Sequence, residues 1–293
     1  MFSATNAAFE GFRLAGRHPF LMLFWAVAYT VSILVLVATM LLILMPPEVW
    51  RALLAGNVEA LEHPDFNPIR FGVAFPLLFI TVLLLTAMTN AAIFRAILRP
   101  KPRGFGYLAI GGDEGRQILL SLLIMLVSIL CGIGLLVLAP TVLGLTPQPY
   151  KVLAGVLAGI AAVCLMIWVS TRLSLAAVQT FVERRVTLFG SWKLTRGRFW
   201  PLLGMWLLAG ALAIVASLVA TALSYLPVVV TGAHLPSLDL ESLRRVQAMP
   251  VGTAAIVAVV LQALIQMVGS ILQVVVGIAP GAAAYDQLKG ATA

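Results

Sequence analysis

Long uncharged apolar runs alternate with short polar intervals along this chain. Residues 19–45 carry no charge over 27 positions, and similar runs occupy 71–94, 117–150, 152–171, 199–238 and 246–285. About 20 apolar residues of helix cross the roughly 30 Å hydrocarbon core of a bilayer. Within that core every backbone N–H and C=O needs an internal partner, which favours helices over open strands. Pro140, Pro147, Pro227 and Pro280 should end the longer runs, because proline lacks an amide donor and clashes with the preceding turn. The pattern predicts an all-α, polytopic membrane protein forming one domain over 1–293. Its six spans fall near 19–45, 71–98, 117–144, 152–182, 199–230 and 251–285.

Two polar intervals have a helical period of their own. PPEVWRALLAGNVEALEHP places Val49, Trp50, Leu53, Leu54, Val58 and Leu61 on roughly one side, with Pro47 in a first turn. PSLDLESLRRVQAMP predicts a second short amphipathic helix, while TPQPY is only a turn. Both helices are expected to lie on the outer membrane surface.

Inside the sixth span, Gln262, Gln266, Gly269, Ser270, Gln273 and Gly277 share one side of a helix; Leu264, Val268, Ile271 and Val275 oppose them. Such a stripe should face protein, with small residues allowing close approach and amides bonding across helices. Candidate partners are Thr86, Thr89 and Asn90 in the second span, or Ser217, Thr221 and Ser224 in the fifth. Gly155 and Gly159 predict a second close helix contact in the fourth. A sharper alternative makes Gln262, Gln266, Gln273 and Asn90 the lining of a polar cavity for a headgroup or small solute. No Asp, Glu or Lys sits mid-span, which argues against an ion pathway.

Composition agrees with the membrane reading: 61% of residues are hydrophobic and 10% charged, against about a quarter charged in soluble domains. Charge adds an orientation. The segments holding both termini carry 14 Lys and Arg against 5 Asp and Glu, whereas the alternate segments carry 5 against 6. Cations gather on the cytoplasmic side of membrane proteins, so both termini are expected in the cytoplasm of a bacterial inner membrane. Arg13 and Arg17 precede the first run as in a signal peptide, but 27 residues exceed a signal core of about 7–15 and suit a retained helix. Cys131 and Cys164 both lie in apolar runs and read as small hydrophobes.

Gly-Arg occurs three times, at Gly16-Arg17, Gly115-Arg116 and Gly197-Arg198, each time just before an odd-numbered span. Even-numbered spans end in NAAIF, LAAVQ and GAAAY. This pattern predicts three hairpins, with interfacial helices before spans one, three and five. Glycine would break each interfacial helix, and arginine would hold the turn among lipid phosphates. The segment FVERRVTLFGSWKLTRGRFWPLLG, through Ser191–Thr195 and Gly197–Trp200, resembles the loop before the fifth helix in a group of bacterial six-helix inner-membrane proteins. That group includes the membrane domain attached to some glycerophosphodiester phosphodiesterases. The resemblance implies the fold and location; the phosphodiesterase activity would need a separate catalytic barrel, which these residues do not supply.

Chemistry-bearing motifs are few. GGDEG at 111–115 copies four letters of a cyclase signature, but its loop is too short for that domain, and Asp113 and Glu114 read as N-terminal caps of the third helix. His63 and His234 with Asp65 and Asp239 read as solvated loop residues rather than a metal site. There is no P-loop, HExxH or GxSxG. Arg17, Arg116, Arg172, Arg184, Arg185, Lys193, Arg196 and Arg198 form the candidate headgroup set. Arg172 could reach phosphates or pair with Glu183 or Glu114. Aromatics among the cations of 184–198 suit a lipid surface better than nucleic acid. The expectation is a non-enzymatic, cofactor-free membrane protein that contacts anionic lipid or scaffolds a membrane partner, with a solute or lipid carrier as the alternative.

Overall fold

The fold is known as a computed structural model that describes residues 2–55, 67–99, 105–109, 111–231 and 253–290. Every regular element among the described residues is helical. α1 (Ala4–Ala8) is capped by Ser3, whose Oγ accepts the Asn6 amide at 3.3 Å. α2 (Glu10–Arg17) starts with an acid and ends with a base, matching the helix dipole at both ends. His18 interrupts the helix, and Pro19 opens α3 (Pro19–Leu44). There its missing N–H costs nothing. α4 (Pro47–Leu54) and α5 (Pro68–Leu98) follow, then a single 3-10 turn (Phe105–Tyr107). α6 (Gly112–Leu145), α7 (Lys151–Leu173), α8 (Ala176–Glu183) and α9 (Gly190–Leu194) precede α10 (Phe199–Thr231) and α11 (Thr253–Gly290).

Among the described residues, six helical stretches are long and apolar enough to cross a membrane: Pro19–Leu44, Pro68–Leu98, Gly112–Leu145, Lys151–Glu183, Phe199–Val230 and Ile256–Gly290. At most 28% of their most apolar windows is buried. Leu34, Leu136 and Val230 are 62%, 74% and 81% exposed. Apolar surface on that scale is stable in lipid and not in water. The chain is a multi-pass helical membrane protein.

Pro147 follows the end of α6, whose C-cap is Thr146, as expected, but the other three prolines behave differently. α6 runs through Pro140 to Leu145, α10 through Pro227 to Thr231, and α11 through Pro280 to Gly290. In a membrane a helix cannot end where its freed carbonyls meet hydrocarbon, so the chain continues past the proline. Beside Pro140 the Thr141 hydroxyl lies 3.1 and 2.7 Å from the Val137 and Leu138 carbonyls. Conversely, the span expected over 152–182 is interrupted at Ser174 and Leu175. Of the outer helices, α4 realises the first part of the first, while 56–66 and the whole of 236–250 lie outside the described residues.

The chain divides into two compact units. The first comprises Met1–Leu14, Thr86–Gly210 and Val276–Ala293. Its core joins Ala91 and Phe94 of α5, Val178 and Phe181 of α8, and Ala282 and Tyr285 of α11. The three small-residue runs NAAIF, LAAVQ and GAAAY therefore meet one another. Alanines let the backbones approach, and one aromatic pair, Phe94 and Phe181 with centroids 5.7 Å apart, fills the middle. Gln117 Nε2 donates to the Ala177 carbonyl at 2.7 Å, tying α6 to α8. The Ser3 amide donates to Gln287 Oε1 at 2.9 Å, so the two terminal segments lie together.

The second unit comprises Ala15–Leu85 and Ala211–Val275. There α10 and α11 come so close at Gly269 that a Cβ on it would lie 2.3 Å from the Ala220 Cβ. The close contact expected at Gly155 and Gly159 is weaker: Gly155 meets only the Leu143 side chain at 3.5 Å, and Gly159 has nothing within 4 Å.

Of the three Gly-Arg pairs, only Gly197 breaks a helix, with φ +76 between α9 and α10. Gly16 lies inside α2 and Gly115 inside α6, neither at positive φ. Those turns are made one or more residues away, at His18 and Gly111, where extended or irregular backbone needs no glycine freedom. Among the described residues, the element before α6 is a 3-10 turn rather than an amphipathic helix.

Candidate functional site

The chemistry-bearing side chains of the first unit gather where α5, α6, α7, α8 and α9 end or begin. Arg95, in the last turn of α5, is 9% exposed. Burial of a guanidinium demands partners, and three are supplied from the start of α6 and its lead-in. Nη2 donates to Glu114 Oε1 at 2.6 Å and to Asp113 Oδ2 at 3.4 Å, and Nη1 to the Tyr107 carbonyl at 3.0 Å. Glu114 is 1% exposed. Arg116 closes the group by an ion pair with Asp113. The two acids are therefore not side-chain caps: Gly111 occupies the N-cap with no side-chain bond. They sit in the first turn, where the dipole favours them, and fix α5 to α6.

Arg99, one turn later, donates to the Phe181 and Val182 carbonyls at 3.4 and 3.5 Å and lies 4.7 Å over the Phe181 ring. A cation at these last carbonyls of α8 satisfies groups the helix leaves open. Arg184 then takes a left-handed conformation, φ +53, unusual for a residue with a Cβ. It redirects the chain toward α9. Gln179 Nε2 donates to Glu183 Oε1 at 2.8 Å, and Arg185 pairs with Glu183 Oε2 at 2.9 Å.

Arg172 ends α7 beside α9. Ser191 Oγ donates to its carbonyl at 2.5 Å, and its Nη1 donates to Thr195 Oγ1 at 3.4 Å. The guanidinium carbon lies 5.7 Å from the Trp168 ring and 5.9 Å from that of Trp192. The expected partners Glu183 and Glu114 are taken by Arg185 and Arg95 instead. Among the other headgroup candidates, Arg17, Arg184, Arg185, Lys193 and Arg196 are exposed, while Arg116 and Arg198 are half-buried.

The glutamine stripe belongs mainly to the second unit. Gln266 and Gln273 are exposed, Gln262 and Ser270 half-buried, and Asn90 is half-buried in the first unit. Ile271 and Val275, from the opposite face, are 1% and 0% exposed. The packed side of α11 in this unit includes Gly269, because only a residue without a Cβ admits α10 so closely; longer amides fall on its flank. The hydroxyls of Ser270 and Ser224 bond within their own helices, to the Met267 carbonyl at 2.9 Å and the Thr221 carbonyl at 2.7 Å. Cys164 is exposed and Cys131 half-buried, the latter in an apolar recess of about 260 Å³ with Ser128, Met166 and Leu173.

Comparison of the chain with family models, with curated proteins and with solved structures gives no match. The site must therefore be read from its own geometry. What sequence reasoning missed is Arg95, counted there only as one of the cations that set orientation. Its signal was present: a cation adjoining the apolar NAAIF run, followed by two adjacent acids in the next polar interval.

Proposed function

We propose that this chain is a non-enzymatic protein of the bacterial inner membrane, with both termini cytoplasmic, whose basic side holds anionic lipid headgroups. The observation that supports this reading is the distribution of counter-charges. Glu10 pairs with Arg13, Asp113 with Arg95 and Arg116, Glu114 with Arg95, and Glu183 with Arg185. Arg172, Arg184, Lys193, Arg196 and Arg198 have no carboxylate partner among the described residues. Each such cation near an anionic membrane surface gains about 1 kcal/mol.

Two measurements test the proposal. The purified full chain, titrated with phosphatidylglycerol or phosphatidylcholine and followed by native mass spectrometry, should retain the anionic lipid preferentially. The Lys193→Gln, Arg196→Gln, Arg198→Gln triple variant should lose several-fold of that preference; equal retention of both lipids by the wild-type chain refutes the reading. In a background free of Cys131 and Cys164, Asn57→Cys should react with an impermeant thiol reagent only from outside the cytoplasm. Reaction from the cytoplasmic side alone reverses the proposed orientation.

A second reading, scaffolding of a membrane partner, is favoured by the exposed Gln266 and Gln273. Amides open to lipid are costly, and a partner helix offering a hydrogen bond would stabilise each by about 0.6–2 kcal/mol.

A further inference from the structure

We propose that Arg172, Trp168 and Trp192 form a discrete binding site for one phosphate group at the junction of α7 and α9. The group is either the phosphodiester of an anionic lipid or free phosphate. The lipid source of this ligand rests on the functional reading above; the site itself rests on three separate observations.

The first is depth. Arg172 follows Lys151 by 21 residues on one continuous helix, a rise of about 32 Å. That distance matches the roughly 30 Å hydrocarbon core. With Lys151 at one boundary, Arg172 stands at the other, level with phosphates.

The second is construction. Trp168 precedes Arg172 by one helical turn, on the same side of α7. Trp192 approaches from α9, its ring edge-on to Trp168 at 4.9 Å and 87°. α9 is held against α7 by Ser191, whose Oγ donates to the Arg172 carbonyl at 2.5 Å, and Thr195 Oγ1 donates in turn to the Ser191 carbonyl at 2.9 Å. Thr195 is fully buried. The guanidinium is thus set in an aromatic corner between two helices rather than on a free tether.

The third is unmet hydrogen-bonding capacity. A guanidinium has five N–H donors. Arg172 uses one, to Thr195 at 3.4 Å, and its Nε is buried without a partner. Arg95 and Arg116 meet carboxylates and Arg99 meets helix-end carbonyls. Arg172 has neither among the described residues. A half-buried cation in an aromatic setting without a counter-anion pays desolvation with little return. A phosphate would offset that cost, because its oxygens match the planar fork of a guanidinium. The amphipathic Trp rings suit the boundary between headgroup and hydrocarbon.

Native mass spectrometry of the purified full chain titrated with phosphatidylglycerol tests the site. The wild type should keep one lipid under activation that strips the rest. Arg172→Gln should weaken that lipid about tenfold, and Arg172→Lys, a point charge without the fork, less. The triple variant at Lys193, Arg196 and Arg198 should lose the weakly held lipids, those that activation strips first, and so its several-fold loss of preference falls on that population rather than on the lipid at Arg172. Thermal midpoints show which variants fold. Should Arg172→Gln fail to fold, Trp192→Phe and Arg172→Lys carry the test, with a loss of about threefold expected for each. Displacement by 10 mM inorganic phosphate assigns the free ion as a ligand, and persistence of the lipid assigns the lipid phosphate. A folded Arg172→Gln that keeps the lipid as tightly as wild type overturns the site while leaving the broader lipid reading intact. A wild-type chain with no anionic preference overturns the broader reading itself.

Discussion

Replacing Glu114 with Ala is expected to destabilise the protein by about 3–5 kcal/mol, the range for breaking one side of a buried ion pair. Glu114 and Arg95 are 1% and 9% exposed and 2.6 Å apart. Without the carboxylate, Arg95 keeps as hydrogen-bond partners Asp113, at 3.4 Å and shared with Arg116, and the Tyr107 carbonyl, besides the Phe181 ring 5.9 Å away. Loosening should extend to the turn at Tyr107, which has φ 61 and whose carbonyl accepts from Arg95. The experiment is a denaturant titration of the detergent-solubilised chain. A double variant, Arg95→Met with Glu114→Leu, should recover much of the loss, since apolar replacement of a whole buried pair is often close to neutral. If Glu114→Ala unfolds at the wild-type midpoint, the pair does not hold α5 to α6.

Gly269→Ala is the second large effect. Intrinsic propensity alone would make it stabilising by about 1 kcal/mol, as Ala is the better helix former. Packing predicts the opposite sign. The new Cβ would lie 2.3 Å from that of Ala220 and 3.7 Å from its Cα, where unstrained carbons keep about 3.5–4.0 Å. Both atoms sit close to backbone, so the helices themselves must separate, at about 1–3 kcal/mol. Ala220→Gly in the same chain removes the obstructing atom and should restore most of that loss. A double-mutant cycle therefore gives a coupling of at least about 1 kcal/mol. Additive effects, or a Gly269→Ala chain more stable than wild type, refute the close contact.

These two sites also show what could be read in advance. Gly269 was visible as part of the stripe on α11, but the stripe could not say which of its members the neighbouring helix would touch. Periodicity ranks faces by polarity, whereas packing in lipid selects by size, since hydrocarbon is no worse a neighbour for leucine than protein is. Hence Gly269 is buried while Gln266 and Gln273 remain exposed. Arg95, Glu114 and Arg172 were each visible as charges near helix ends. Their assignment was not, because two acids and several cations at one level allow many pairings of similar energy. Only the placement of α5 against α6, and of α9 against α7, chooses among them.

Span number and helical class followed from the order of residues alone. Each is settled by transfer of a local stretch between water and hydrocarbon, an energy that adds along the chain and needs no partner. Pro140, Pro227 and Pro280 mark where that reasoning reached its edge: the local rule ends a helix there, and the surroundings carry it on. The meeting of NAAIF, LAAVQ and GAAAY, the Arg95–Glu114 pair and the aromatic corner around Arg172 were decided by tertiary structure. Each joins residues far apart in sequence through contacts a few ångströms long, and at that range shape, rather than hydropathy, determines which groups touch.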